Sequence, residues 1–486
     1  MIEIFHRFRS TDDLLDRHNE LQNQEIYFPS PVELNDPMEG FKDIYWRGDE
    51  VVWENLLKHY LLCLEDVCIL LSLGGAGVHI DSNNIPIWRT PENLPTLQYQ
   101  ELHKEIYTKF FADSSIHQLI KTLSRQPRPL RRDELLFYIA CLHPYALDTI
   151  FAIFHNHNMV STLPNRDAFQ QMAQKTLSDL GKAFDASDEA EKESSGFEDM
   201  ANWAYSAIKN MMSQMRLITL YNDPRSCHKK GMMFVFSEFP SAYIQRIEKM
   251  VYPDWYVACF MAECSNSSVW GHYADRHRGV CLSFKAAIDN DRAFINLQGI
   301  NGWSTTGPMY GRIAHTFYEI DYEKKYVEVD FFRSLGCLST PALTKFWYAN
   351  EDGTRSSCLD DVFGSHQQWN EQYWANFYKA ITTKLSDWNY EKEYRLILNS
   401  FLLDLGQPAR RTLKYDFNDL EAITFGIETR IEDKIKIMQI IESKCRSHKR
   451  KHFKFYQAYY SREKGRIDRA ELPMIETFAD DRETPG

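Results

Sequence analysis

Residues 388–398 have the sequence Trp-Asn-Tyr-Glu-Lys-Glu-Tyr-Arg-Leu-Ile-Leu. Read as a β-strand, this stretch has a two-residue period that places Glu391, Glu393 and Arg395 on one face. Residues 396–398 are apolar on both faces, which is typical of a strand in the middle of a sheet. Two carboxylates and a guanidinium beside such a strand are costly unless they are paired or used by a ligand. A cross-strand salt bridge and a helical Glu391–Arg395 pair are the structural alternatives.

Further strands are expected on both sides of this stretch, interrupted by a long helical region. Apolar alternation predicts strands at 2–8, 25–28, 232–237, 255–260, 279–284, 315–322 and 422–425. Helical periodicity predicts helices at 98–124, 132–154, 166–184, 197–220, 241–251, 367–386 and 431–444. The sequence therefore predicts an α+β protein whose mixed β-sheet core is split by a large helical insertion. The expected parts are core at 1–49, insertion at 50–230, core again at 231–430, and a C-terminal helix with a basic tail at 431–486.

The composition excludes some classes of protein. The chain has 486 residues, 44% of them hydrophobic, so a disordered or fibrous chain is excluded. The net charge of −12 argues against a nucleic-acid binder whose whole surface is basic. Residues 185–199 alone contribute seven acidic residues and one lysine, which favours a solvated linker there. A local basic patch therefore remains compatible with the rest of the chain.

The cysteines and the apolar segments indicate a cytoplasmic protein. Ten cysteines are dispersed without a disulfide framework, and the N-terminus lacks a signal-peptide pattern. Residues 135–154 are long enough to span a bilayer, but Pro144 and Asp148 interrupt them, so we expect a buried helix pair and no membrane. A membrane span is the alternative.

Two groups of His and Cys residues invite a metal interpretation. One group is Cys141, His143, His155 and His157, and the other is Cys264, His272, His277 and Cys281. Neither has the spacing of a known zinc module, so we expect core and capping roles and no metal.

Two other polar stretches are candidates for a binding site. Residues 35–39, Asn-Asp-Pro-Met-Glu, form a side-chain-closed turn that places Asn35, Asp36 and Glu39 near a strand end. Residues 269–279 combine Trp270, His272 and Tyr273 with charged neighbours, a set that suits an aromatic, hydroxylated or charged ligand. A turn with a structural role and a buried aromatic anchor are the alternatives.

These stretches resemble a bacterial family known as domain of unknown function 2971. Its pattern has an N-terminal strand, an N-D-P-[FM]-E turn, a W-[GS]-H-Y-A-D-x-H-x-G stretch and a W-x-Y-E-x-E-[YW]-R stretch. Residues 5–8, 35–39, 270–279 and 388–395 match these in order. The resemblance covers residues 1–45 and 230–430 and leaves the helical region outside.

The order of these motifs is also similar to that of ADP-ribosyltransferases. That resemblance implies Glu393 as the catalytic carboxylate and Glu391 as the residue that positions the acceptor. His272 and Tyr273 are expected as further helpers. The resemblance also implies that Arg7 or His6 contacts the dinucleotide and that Ser283 occupies the middle position. With Asn35, Asp36, Glu39, Trp270 and Arg395 these form the expected ligand-binding set. The implied substrate is NAD, and the implied role is an NAD-using transferase or glycohydrolase of bacterial defence or toxin type.

Two other functions stay open. The first is a non-enzymatic interaction or sensor module, in which the helical insertion binds a partner and the polar residues only stabilise the core. The second is a nucleic-acid-processing protein, because residues 444–454 hold six Lys or Arg residues and no acid. Lys449, Arg450 and Lys451 are the candidate phosphate contacts. The sequence leaves the acceptor and the oligomeric state open.

Overall fold

The computed structural model describes residues 2–75, 78–160, 166–191, 197–222, 230–322 and 325–473. The chain has about 50% helix and 22% strand in mixed sheets, so the predicted α+β class is confirmed. The strands are β1 Ile4–Arg9, β2 Glu25–Tyr27, β3 Lys42–Trp46, β4 Leu130–Arg131, β5 Trp255–Met261, β6 Val280–Lys285, β7 Ala287–Asp289, β8 Arg292–Ser304, β9 Gly307–Thr316, β10 Tyr318–Glu319, β11 Val327–Asp330, β12 Glu393–Asn399, β13 Thr412–Tyr415, β14 Leu420–Phe425, β15 Lys454–Ser461 and β16 Arg466–Glu471.

The helices are concentrated between β3 and β5. They are α1 Glu20–Asn23, α2 Glu50–Gly74, α3 Leu97–Phe111, α4 Ser114–Arg125, α5 Arg132–Asn156, α6 Arg166–Glu191, α7 Phe197–Asn222, α8 Lys230–Met233, α9 Phe239–Ile247, α10 Ser267–Tyr273, α11 Thr340–Phe346, α12 Ser357–Phe363, α13 His366–Thr382 and α14 Ile431–His448. Short π-helical turns occur at Asp13–Arg17 and Phe234–Glu238.

The chain forms two compact units. Unit 1 comprises Met1–Phe41, Asp254–Tyr326 and Tyr378–Gly486, and unit 2 comprises Lys42–Pro253 and Val327–Phe377. The helical segment expected at 50–230 lies within unit 2. That unit also takes in β3, α9 and the 327–377 segment, which the sequence boundaries assigned to the core.

Unit 1 is built on an eight-stranded sheet with the order β10-β12-β5-β1-β6-β14-β15-β16. Its neighbouring strands are antiparallel except β14 and β15, which run parallel and are joined through α14. A second sheet has the order β2-β13-β8-β7, with β9 paired to β8. One apolar cluster contains residues from both sheets, including Phe5, Phe260, Leu396, Ile295 and Leu413. Burial of this cluster is what holds the strands in register.

Unit 2 is mainly helical and includes the three-stranded sheet β11-β3-β4. Helix α2 begins at an N-cap, Asp49, whose side chain accepts a hydrogen bond from the backbone N–H of Val52. Most of α2 and α5 is buried, which explains why their sequences are apolar on nearly every face.

Among the described helices, α5 is long and apolar enough to cross a bilayer by length and composition. However, 67% of its most apolar window is buried inside the protein. Its polar groups find protein partners there: Glu134 accepts from Arg128 at 2.7 Å, and His143 Nε2 lies 2.7 Å from the carbonyl oxygen of Val235. These contacts are those of a core helix, so α5 is only weak support for a membrane span.

Several sequence-based predictions of elements were wrong. Residues 135–154 belong to the single helix α5, which contains Pro144, and do not form a helix pair. Residues 232–237 are helical and not a strand, because this stretch leads directly into α9. The single helix expected at 98–124 is two helices, since Asp113 caps a new N-terminus. Helix α6 runs to Glu191 and α7 begins at Phe197, so most of the expected 185–199 linker is helical; residues 192–196 lie outside the described part.

The C-terminal region also differs from its prediction. The expected helix is confirmed as α14, but the expected basic tail contains β15 and β16, which join the eight-stranded sheet. Residues 474–486 lie outside the described part. The long hairpin of β8 and β9 was missed.

Candidate functional site

A row of polar residues crosses the middle of the eight-stranded sheet. Glu393 on β12 lies opposite Met261 on β5, Met261 lies opposite His6 on β1, and His6 lies opposite Ser283 on β6. Directly opposed residues of antiparallel strands project from the same face. The structure therefore brings Glu393, His6 and Ser283 to one face, with His6 Nδ1 3.0 Å from Ser283 Oγ. Burial lowers the pKa of His6 to about 4, which leaves its imidazole neutral at pH 7.

Arg7 does not join this row. It alternates with His6 along β1 and therefore projects from the opposite face. Its guanidinium donates to the carbonyl oxygen of Tyr27 at 3.0 Å and lies over the ring of Phe260. Of the two residues expected to contact a dinucleotide, only His6 shares a face with Glu393.

Glu393 is the centre of a buried ion-pair network. Arg395 donates to both of its carboxylate oxygens, at 2.7 and 3.0 Å, and to Glu39 at 2.8 Å. Lys384 lies 3.1 Å from Glu393, 2.8 Å from Glu391 and 3.3 Å from Glu39. We call these five residues the charge network. Each of its side chains is 3% exposed or less.

The charge network carries three carboxylates and two cations, so its formal charge is −1 when all are ionised. Burial alone raises the pKa of Glu393, but Arg395 and Lys384 outweigh it and lower that pKa to about 2. Burial raises the pKa of Glu391, and Lys384 offsets this effect only partly. Burial lowers the pKa of Lys384, but the three carboxylates reverse that effect and raise it. Glu391 is therefore the carboxylate of the pair that accepts a proton more readily.

Glu391 does not lie on the strand, contrary to the period-two prediction. It ends the 3₁₀ segment Ser386–Glu391, and Lys392 follows with a left-handed φ of 45° before β12 begins. Glu393 and Arg395 do share a face of β12, as predicted. Glu391 is connected to Glu393 through Lys384, and it also accepts a hydrogen bond from the Tyr273 hydroxyl at its Oε1, at 2.8 Å.

The turn at 35–39 delivers Glu39 into the charge network. The carboxylate of Asp36 accepts a hydrogen bond from the backbone N–H of Met38 at 2.9 Å. The backbone carbonyl of Asp36 accepts one from the backbone N–H of Glu39. Asp36 is thus buried as a turn former, whereas Asn35 is exposed. Of the three candidate residues in this turn, only Glu39 has a side chain that takes part in the ion pairs.

Four side chains form the surface above Glu391, and we call them the aromatic rim: His272, Tyr273, Trp388 and Tyr390. His272 is exposed, and its Nδ1 lies 3.3 Å from the hydroxyl of Tyr390. The ammonium of Lys384 lies 4.6 Å from the centre of the Trp388 ring. The rim thus contacts the charge network through Tyr273, which bonds to Glu391, and through Trp388, which lies against Lys384.

Trp270 belongs to the core and not to the rim. Its side chain is fully buried, its Nε1 donates to the carbonyl oxygen of Cys264 at 2.8 Å, and its ring meets that of Phe8 edge to face. The aromatic-anchor alternative therefore describes Trp270, while its neighbours His272 and Tyr273 belong to the rim.

Sequence reasoning missed three residues that contact this site. Lys384 follows α13 and forms ion pairs with all three carboxylates of the charge network. Tyr322 accepts from the backbone N–H of Glu393 at 2.8 Å. Cys259 lies opposite Arg395 on β5, and its thiol is among the groups that lower the pKa of Glu393. Only Lys384 left a signal, as a lone base directly before the 388–395 motif.

The candidate phosphate-binding residues are not equivalent. Lys449 ends α14 in a left-handed conformation, and Lys451 is exposed. Arg450 instead donates to the carbonyl oxygens of Phe417 and Leu420, at 3.2 and 2.7 Å, and lies over the ring of Phe453. Arg450 is thus held by the fold.

Arg450→Ala is expected to lower the stability of the protein by about 1–3 kcal/mol, because it removes these hydrogen bonds and the cation–π contact. Lys451→Ala should stay within about 0.5 kcal/mol, since that side chain is exposed. Thermal unfolding of the two variants checks this. Equal melting temperatures would contradict the anchoring role of Arg450.

The two groups of His and Cys residues that invited a metal interpretation do not form a metal site in the described residues. Within the described residues, no group of three or more His, Cys, Asp or Glu side chains has the arrangement to hold a metal ion. The ring of His143 is hydrogen-bonded to Tyr60 and to the carbonyl oxygen of Val235, and the ring of His157 is hydrogen-bonded to Glu105. Cys264 and Cys281 do interact through their thiols, and this contact lowers the pKa of Cys264 to about 7.

Comparison of the chain with models of known protein families, with characterised protein sequences and with solved structures found no match.

Proposed function

We propose that unit 1 is an NAD-using enzyme that breaks the bond between nicotinamide and ribose. The observation that supports this most is the position of Glu391, which lies beneath an aromatic rim and bonds to a rim residue, Tyr273. A carboxylate held in a dry site stabilises the positive charge that develops on a sugar ring during such a cleavage. Aromatic rings at the entrance suit stacking against nicotinamide.

The chemistry balances without a redox partner. The ring nitrogen of nicotinamide is positively charged in NAD, so nicotinamide leaves as a neutral molecule with the electron pair of the broken bond. The ribose cation then takes up water or an acceptor hydroxyl, which loses a proton to a base. In this proposal Glu391 is the catalytic carboxylate and the base. Substrate reaches it once the Tyr273 side chain has rotated aside.

Glu393 has a positioning role in the proposal. Because it is engaged by Arg395 and Lys384 on both oxygens, it holds the ammonium of Lys384 against Glu391. This exchanges the roles that the resemblance to ADP-ribosyltransferases implies for the two glutamates.

The test is release of nicotinamide from NAD by the full-length protein, with and without bacterial lysate as an acceptor source. We expect Glu391→Gln to reduce the rate at least 100-fold and Tyr273→Phe to reduce it less. Glu263→Gln is the matched control, because Glu263 is a half-exposed carboxylate of the same unit. A folded wild-type protein that releases no nicotinamide under either condition would overturn the proposal, as would an undiminished rate in Glu391→Gln.

A second candidate is a non-enzymatic interaction or sensor module. It is favoured by the pairing and burial of the whole charge network, which leaves no charged side chain of the network open to solvent. Under this alternative Glu391→Gln changes no activity, and Glu393→Gln only lowers the melting temperature.

A further inference from the structure

Unit 2 contains a cavity that none of the predicted site residues lines. Its volume is about 740 Å³, within the range of small-molecule sites. Helices α2 and α3, the segment around residue 88 and the end of α11 with residues 347–351 form its walls. We call it the unit-2 cavity.

A histidine–carboxylate pair faces this cavity. His103 Nδ1 lies 2.6 Å from Glu65 Oε2, and the Glu65 side chain is fully buried. A carboxylate that accepts from Nδ1–H fixes the tautomer of the ring and leaves Nε2 free for a ligand. His103 Nε2 makes no hydrogen bond to the described residues, and His103 lines the cavity.

The walls of the unit-2 cavity are aromatic. Trp88 and Phe346 meet edge to face at 5.6 Å, and Tyr107 and Trp347 also line the cavity. The buried Nε1 of Trp347 has no hydrogen-bond partner in the described part of the chain. The same holds for the buried Nε1 atoms of Trp46 and Trp53, so this atom by itself does not indicate a ligand.

One unpaired base among the described charged side chains that line the cavity favours an anionic group there. These side chains are four bases, Lys58, Arg89, Lys104 and Lys345, and two acids, Glu92 and Glu351, in a chain whose net charge is −12. Glu54, Asp66 and Glu92 hold three of these bases in ion pairs. Lys104 has no ion-pair partner among the described residues, and it lies one position after His103 on α3.

We propose that the unit-2 cavity binds a nucleotide, with the base against Trp88 and Phe346, the phosphate at Lys104, and a ribose hydroxyl donating to Nε2 of His103. An aromatic ring and an anionic group in one molecule account for both the walls and the unpaired base. The cavity volume suits a mononucleotide or dinucleotide. This site is independent of the charge network and of the function proposed for unit 1.

Isothermal titration of the full-length protein with ADP, adenosine and inorganic phosphate tests the proposal. ADP is expected to bind at micromolar concentration and more tightly than either fragment. Lys104→Ala and Trp88→Leu should each weaken ADP binding at least tenfold, which corresponds to about 1.4 kcal/mol. Lys109→Ala is the control on the same helix, because Lys109 is exposed and does not line the cavity. The affinity of this variant for ADP should stay within twofold of the wild-type value.

Lys104 is exposed, so its variant tests binding without disturbing the core. His103→Asn adds the contribution of the histidine, and circular dichroism reports whether that variant is folded. Three results would overturn the proposal: no ADP binding at millimolar concentration, equal affinities for ADP and inorganic phosphate, or unchanged ADP affinity in both Lys104→Ala and Trp88→Leu.

Discussion

Replacing Arg395 with methionine is expected to destabilise the protein by about 3–5 kcal/mol, because the change leaves buried carboxylates without a counter-ion. Glu393 would lose both of its guanidinium bonds, and Glu39 would lose its contact at 2.8 Å. Lys384 alone cannot neutralise three carboxylates. The measurement is the urea midpoint and the melting temperature relative to wild type.

Lys392→Met is the matched control for this prediction. Lys392 lies three residues earlier, and its ion pair with Glu263 is about half exposed, so we expect a change below about 1 kcal/mol. A shift of similar size in both variants would show that the charge network contributes no more than a surface ion pair.

The second large effect is a loss of stability in acid that depends on Glu393. Its pKa in the folded protein is about 2 against an ordinary value of 4.5. A lowered pKa contributes stability that is fully present above 4.5 and is lost as the pH falls from 4.5 towards 2. The size of the effect is on the order of 3 kcal/mol, from about 1.4 kcal/mol per pKa unit.

Glu391 acts in the opposite direction and in a different pH range. Because its pKa is raised, the folded protein binds this proton more tightly, and stability rises as the pH falls towards 4.5. Melting temperatures of wild type, Glu393→Gln and Glu391→Gln between pH 7 and 2 separate the two groups. Glu393→Gln should reduce the pH dependence of the melting temperature below pH 4.5, and Glu391→Gln should reduce it above pH 4.5. Parallel curves for wild type and Glu393→Gln would refute the assignment.

The sequence was most informative where a single strand carries both pattern and chemistry. The apolar run at 396–398 correctly predicted a strand, but β12 lies next to the edge strand β10 and not in the middle of the sheet, and Ile397 and Leu398 are only partly buried. The two-residue period correctly placed Glu393 and Arg395 on one face. The same period misplaced Glu391, because Lys392 adopts a left-handed conformation that interrupts the strand. A local backbone change of this kind leaves little trace in side-chain periodicity.

The features that the sequence did not reveal depend on long-range contacts. Glu65 and His103 come from different helices, and Trp347 joins them from more than 240 residues further along the chain. No spacing rule connects such positions. The β8–β9 hairpin was missed because Gly299, Gly302 and Gly311 lower its apparent β propensity.

The position of β1 in the sheet has a consequence for the order of synthesis. β1 is complete at Arg9, but its neighbour β5 begins at Trp255, which lies 246 positions later. At translation rates of about 5–20 residues per second, the first strand waits roughly 10–50 s for any partner in its sheet. The strand that carries His6 is therefore made first and paired late, and a fragment that stops before residue 254 leaves it as an unpaired edge that is prone to aggregation.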